Sequence, residues 1–135
     1  MTSSILASEY VADTMAVILR IEKRRLSQTT KDIFDNMESG GIVIHIPGMV
    51  FAEILYLSAK GKIGISLPEV ADYMKKNPNC REFPMNFAVI ETAAQITDIR
   101  ELHDRLIAAT ARLLNLELIT NDPIIQASGF LKTIW

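Results

Sequence analysis

Short apolar runs rich in β-branched residues recur along this chain, separated by segments whose apolar residues fall at helical spacing. EYVAD (residues 9–13), IVIHI (42–46), LELIT (116–120) and LKTIW (131–135) each have the length and composition of a buried strand. After Asp13, MAVILRIEKRR carries a helical apolar period before turning basic. A second helix is expected from Thr29 to Glu38, ended by Gly40 and Gly41, and a third from Met49 to Lys60, stopped by Gly61. Ser66 and Glu69 have capping-box spacing for a helix through Lys76, which Asn77-Pro78 ends. Arg81 to Met85 is a weakly marked strand, Phe87 to Ile96 and Leu102 to Leu114 are helical in period, and Asp122-Pro123 opens a last short helix. Such alternation predicts an α/β fold with a mainly parallel sheet, right-handed crossovers and a ligand site beyond the carboxyl ends of the strands.

At 135 residues the chain has the size of one domain, expected over residues 1–135, and can bury a core without staples. Its single cysteine, Cys80, forms no internal disulfide framework and belongs to no zinc-like cluster, which fits a reducing cytoplasm. The first residues, MTSSILASEYVADT, do not read as a signal peptide, no apolar run approaches a membrane span, and a soluble protein is expected. With a net charge of -2 the whole molecule does not advertise a polyanion binder, so any nucleic acid must be met locally. Arg20 with Lys23, Arg24 and Arg25, then Lys60 with Lys62, and Lys75 with Lys76 and Arg81 are the basic patches, each equally readable as a solvated helix end.

The acidic residues that matter stand where strands hand over to helices. Asp13 ends the first strand and Asp122 follows the LELIT strand by two residues, so both are expected on the same sheet edge. Either is also a good helix N-cap, Asp122 the more so because Pro123 follows it. Glu53 interrupts an apolar helix and needs a cation, a hydrogen-bond network or a metal; a lone structural salt bridge is the plainer alternative. Asp104 lies near the start of LHDRLIAATARLL, where complementarity to the helix dipole would also suit it. Together the four carboxylates would repel one another unless a divalent ion relieved them, and oxygen-rich sites with few histidines suit Mg²⁺ or Mn²⁺. That chemistry points to hydrolysis of a nucleic-acid backbone.

These blocks, YVADTMA, MVFAEILYL and LHDRLIAATARLLNLELITND, resemble in order and spacing the PIN-domain ribonucleases, closest to the VapC-type toxins of toxin-antitoxin pairs. The resemblance covers nearly the whole chain, and its third block is the most specific. It implies a three-layer α/β/α fold with a five-stranded parallel sheet. It implies an Mg²⁺- or Mn²⁺-dependent endoribonuclease whose metal is held by Asp13, Glu53, Asp104 and Asp122, usually a homodimer restrained by a small antitoxin. By the same resemblance Thr14 and Thr120 support the acids and Asn121 helps at the rim, although turn and cap chemistry would explain all three. Met15 departs from the family, which commonly has a polar residue there.

Arg20 and Arg105 are the expected contacts to the RNA backbone; His103 and His45 are read as surface or hydrogen-bonded residues. Met49, Leu55 and Tyr56 are read as ordinary core, with a dimer or antitoxin groove as the other possibility. Against the toxin reading stand a housekeeping RNA-processing nuclease and a non-catalytic PIN-like interaction module in which the acids merely cap helices. A phosphoaspartate receiver-like domain leaves Glu53 without a role.

Overall fold

A computed structural model describes residues 7–135. Its strands are β1 (Glu9–Ala12), β2 (Val43–Pro47), β3 (Cys80–Phe83), β4 (Leu118–Ile119) and β5 (Thr133–Ile134). Its helices are α1 (Thr14–Ile21), α2 (Gln28–Glu38), α3 (Gly48–Ala59), α4 (Leu67–Lys76), α5 (Phe87–Gln95), α6 (Leu102–Leu114) and α7 (Pro123–Gln126). The five strands form one sheet in the order β3-β2-β1-β4-β5, and every pairing is parallel. This is the α/β architecture expected from the alternation of elements.

β1 lies at the centre because it can be buried on both faces: Tyr10, Val11 and Ala12 are all inaccessible. It pairs with β2 through Tyr10 and Ile44 and with β4 through Ala12 and Ile119. After β1 the chain lays β2 and β3 on one side, then crosses to lay β4 and β5 on the other. That reversal opens a crevice between the carboxyl ends of β1 and β4, where open parallel sheets bind their ligands.

The helices close onto the sheet with small or β-branched faces. Residues Leu106 to Ala111 of α6 are buried without interruption, and Ala108, Ala109 and Ala111 let that helix approach closely. In α1 Ala16, Val17, Ile18 and Leu19 are buried while Met15 remains exposed. Gly40 and Gly61 end α2 and α3 at φ +88° and +68°, as their positions in the sequence predict. Two further left-handed stops fall on residues that give less warning, Lys23 (φ 58°) after α1 and Asn115 (φ 55°) after α6. In each, the next N–H reaches back five residues, Arg24 to the Leu19 carbonyl at 2.8 Å and Leu116 to that of Ala111 at 3.0 Å.

Some boundaries differ from expectation. The strands at LELIT and LKTIW shrink to two paired residues each, and the weakly marked third strand starts at Cys80 rather than Arg81. Ser66 is the N-cap of α4, but its hydroxyl lies 3.2 Å from the Glu69 carboxylate and caps no backbone N–H. On α3 only Val50 and Ile54 are buried, so Leu55 and Tyr56, at 56% and 59% exposure, are not core. Among the described residues no helix is long and apolar enough to cross a membrane.

Candidate active site

Four carboxylates meet at the crevice. Asp13 leaves β1 as the N-cap of α1, and its Oδ1 accepts the Ala16 N–H at 2.9 Å. Asp122 leaves β4 as the N-cap of α7, accepting the N–H of Ile124 at 2.8 Å and of Ile125 at 3.3 Å. The plain capping roles read from the sequence are therefore real, and each uses one carboxylate oxygen. Glu53 reaches in from the middle of α3, where it accepts a hydrogen bond from the Thr14 hydroxyl. Asp104 lies in the first turn of α6, its N–H donating to Glu101 Oε1 at 2.8 Å.

With Thr14, Asn121 and the apolar side chains of Met15, Leu57, Ile107, Pro123 and Ile125, these four acids line a cavity of about 280 Å³. Thr120 sits just beneath. Its Oγ1 accepts the Asp122 N–H at 3.1 Å while its hydroxyl supports Asp13, so one threonine braces both aspartates. Thr14 is hydrogen-bonded to Glu53, and Asn121 is exposed at the rim.

The electrostatics are those of crowded acids. Burial, 6% exposure remaining, pushes the Asp13 carboxyl up to about 6; the Thr120 and Ala16 hydrogen bonds oppose the rise, and the charges of Asp122 and Glu53 add to it. The Asp104 carboxyl is also raised to about 6, first by burial and then by Asp122, Glu101, Glu53 and Asp13. Groups that hold one another's protons in this way mark a place where positive charge is welcome.

A hard divalent cation fits this donor set, since the polar side chains lining the cavity are four carboxylates, Thr14 and Asn121, with no cysteine or histidine among them. Among the described residues, no three His, Cys, Asp or Glu side chains stand close enough together to enclose a metal ion. Asp13, Asp122 and Glu53 each direct an oxygen to a protein donor, so closure around an ion would draw on their remaining oxygens.

Two expected contacts sit elsewhere. Arg20 lies at the far end of α1 from Asp13. There it makes a forked pair with Glu38 at 2.8 and 2.7 Å, reaches Asp35 at 2.7 Å, and lies 5.8 Å from the centre of the Phe34 ring. Its expected contact to RNA is thereby corrected, because the guanidinium is committed to two carboxylates on α2. Arg105 does not line the cavity, and its buried Nε has no hydrogen-bond partner. Conversely, Glu101 escaped the sequence reading although it caps α6 and raises Asp104. Its spacing of three before Asp104 was the available signal, muted because Glu is not a favoured cap. His103, half exposed, has Nδ1 3.2 Å from Glu101 and 3.8 Å from Glu53, so it borders the acids rather than standing apart.

A family model described as PIN domain matches residues 10–131. No curated protein matches the sequence. Solved structures that the fold resembles include VapBC2 from Rickettsia felis bound to a DNA fragment from their promoter, with a TM-score of 0.73 at 16% identity over 94% of this chain and 98% of that one. DNA-bound VapBC from Salmonella typhimurium follows at 0.69 and 15%, covering 95% and 98%. FitAcB from Neisseria gonorrhoeae gives 0.64 and 16%, covering 93% and 96%. At such identities the likeness is one of fold.

Proposed function

We propose, from the premise that this chain belongs to the PIN-domain family, that it is a metal-dependent endoribonuclease and the toxin of a toxin-antitoxin pair. The observation that carries the reading is the convergence of Asp13, Glu53, Asp104 and Asp122 on one cavity at the point where the strand order reverses. These four residues would hold Mg²⁺ or Mn²⁺. The ion would neutralise charge on a phosphoryl oxygen and activate water for in-line attack.

The chain's own residues set the stage for that ion. Thr14 fixes the Glu53 carboxylate, Thr120 braces Asp13 and the Asp122 backbone together, and the α1 and α7 N-termini hold both aspartates in place. Asn121, exposed at the rim, is placed to donate to a phosphate or sugar oxygen. Arg105, next to Asp104 in sequence on α6, stays a proposed contact to the RNA backbone although it does not line the cavity. Met15, exposed at the mouth, offers no hydrogen bond where relatives commonly have a polar residue.

The toxin-antitoxin complexes among the solved structures that this fold resembles support an antitoxin as partner. Exposed Phe87 and Ile90, three apart on α5, with exposed Met85 in the loop before it, support a homodimer, since large apolar side chains grouped at the surface want a cover. A non-catalytic interaction module is favoured by one observation, that Asp13 and Asp122 do cap helices. A housekeeping nuclease would share the site and differ in having no antitoxin gene beside its own.

The test is cleavage of a panel of end-labelled single-stranded RNAs with Mg²⁺, Mn²⁺ or EDTA. Internal cutting that requires a metal is the expected result. No cutting under any condition, with no metal raising the melting temperature, would return the chain to the interaction-module reading.

A further inference from the structure

No lysine or arginine lines the acid cavity, so a strand of phosphates entering it has to be held by cations elsewhere. α3 leads to them. It carries Glu53 into the cavity, then Tyr56, 59% exposed, and then Lys60, whose Nζ lies 5.5 Å from the centre of the Tyr56 ring. Positions 53, 56 and 60 share one side of the helix, and the run covers about 10 Å of its axis.

Beyond Lys60 the chain turns at Gly61 and exposes Lys62, and then Gly64 donates its N–H to Glu22 Oε2 at 2.6 Å. Glu22 also pairs with Arg24 at 3.0 Å. One carboxylate therefore pins the loop after α3 against the turn after α1, where Lys23, Arg24 and Arg25 are exposed and line a cleft of about 560 Å³. A Cβ on Gly64 would stand 3.2 Å from that same oxygen, a tight contact that the carboxylate relieves only by shifting a few tenths of an ångström. Among the described residues Lys23, Arg25, Lys60 and Lys62 form no ion pair. Complementarity to helix dipoles accounts for Lys60 and Lys23, each at a helix end. It does not account for Lys62 and Arg25, which lie outside the helices, or for an exposed tyrosine set between Glu53 and Lys60.

We propose that Tyr56, Lys60, Lys62, Lys23 and Arg25 form a track for single-stranded RNA leading away from the acid cavity, with Tyr56 stacking a base and the cations taking successive phosphates. An exposed aromatic beside unpaired cations is chemistry that holds single strands without reading their sequence. The track rests on the reading that the cavity acts on RNA.

The test is fluorescence anisotropy of a labelled 12-nucleotide single-stranded RNA in EDTA, which prevents cutting, between 50 and 200 mM salt. Lys60→Gln/Lys62→Gln and Lys23→Gln/Arg25→Gln should each flatten the log–log salt slope by about 1.4, two single-strand phosphate contacts' worth. Tyr56→Ala should weaken binding about fivefold or more with the slope unchanged, and Tyr56→Phe should restore it. Thermal melts check that each variant is folded. Unchanged slopes in both double variants overturn the track, as does a loss of binding to poly-glutamate with RNA binding intact, which would mark a surface for an acidic protein. Wild type that cuts RNA with Mn²⁺ while the slopes stay unchanged removes the track and keeps the nuclease. The expected slopes without cutting under any metal keep the track and remove the nuclease.

Discussion

Replacing Asp13 with asparagine should make the metal-free protein more stable at neutral pH, although it removes a residue assigned to the active site. In the folded chain the Asp13 carboxyl is raised from its ordinary 3.8 to about 6, mainly by burial. A folded state that binds the proton more tightly than the unfolded state loses stability as pH rises from about 4 to 6, and above that the penalty is complete. Two pH units correspond to about 3 kcal/mol. Asparagine removes this penalty and keeps an oxygen for the Ala16 N–H, but gives up a negative charge at the α1 N-terminus worth about 0.5–1 kcal/mol. Less ideal hydrogen bonding to Thr120 takes a further part, leaving a net gain of about 1–2 kcal/mol, or about 3–6 °C in Tm for a chain of this length. Thermal melts of wild type and Asp13→Asn in EDTA at pH 7.5 and 4.5 measure it. The gain should be present at pH 7.5 and largely gone at 4.5, and Mg²⁺ should raise the Tm of wild type more than that of the variant. A variant less stable than wild type at pH 7.5, or equally stabilised at both pH values, would refute the reasoning.

Arg20→Ala should cost about 1–3 kcal/mol in urea denaturation, because Glu38 and Asp35 lose their forked partner, while RNA cleavage at saturating substrate stays within twofold of wild type. Ile107→Ala, at a residue 1% exposed beneath the acid cavity, should cost about 2–5 kcal/mol by the same measurement.

What could be read from the sequence followed from burial and from strand-to-helix junctions. β1 and β2 were legible because each is a continuous apolar run, whereas β4 and β5 are two-residue pairings whose ends depend on neighbours distant in sequence. Asp13 and Asp122 could be assigned to one edge because a parallel sheet puts all its strand-to-helix junctions there. Strand order, and with it the position of the crevice between β1 and β4, is not encoded in any local pattern. Arg20 was misread for a similar reason. Its partners stand 15 and 18 residues away on α2, so a basic run that looked free in sequence is partly neutralised in the fold. Leu55 and Tyr56 on α3 were read as core, with an exposed groove as the second possibility, because an apolar helix reads as core unless one knows that only Val50 and Ile54 are fully buried.

Whether the four converging carboxylates cut RNA can be read from single-turnover cleavage of one labelled RNA in Mn²⁺ by wild type and Asp104→Asn. The variant should cut at least about a hundredfold more slowly, since it lacks a carboxylate that would hold the ion, and should melt no lower than wild type because a crowded acid has been removed. Cleavage at the wild-type rate by a folded Asp104→Asn protein would contradict a role for these carboxylates in cutting.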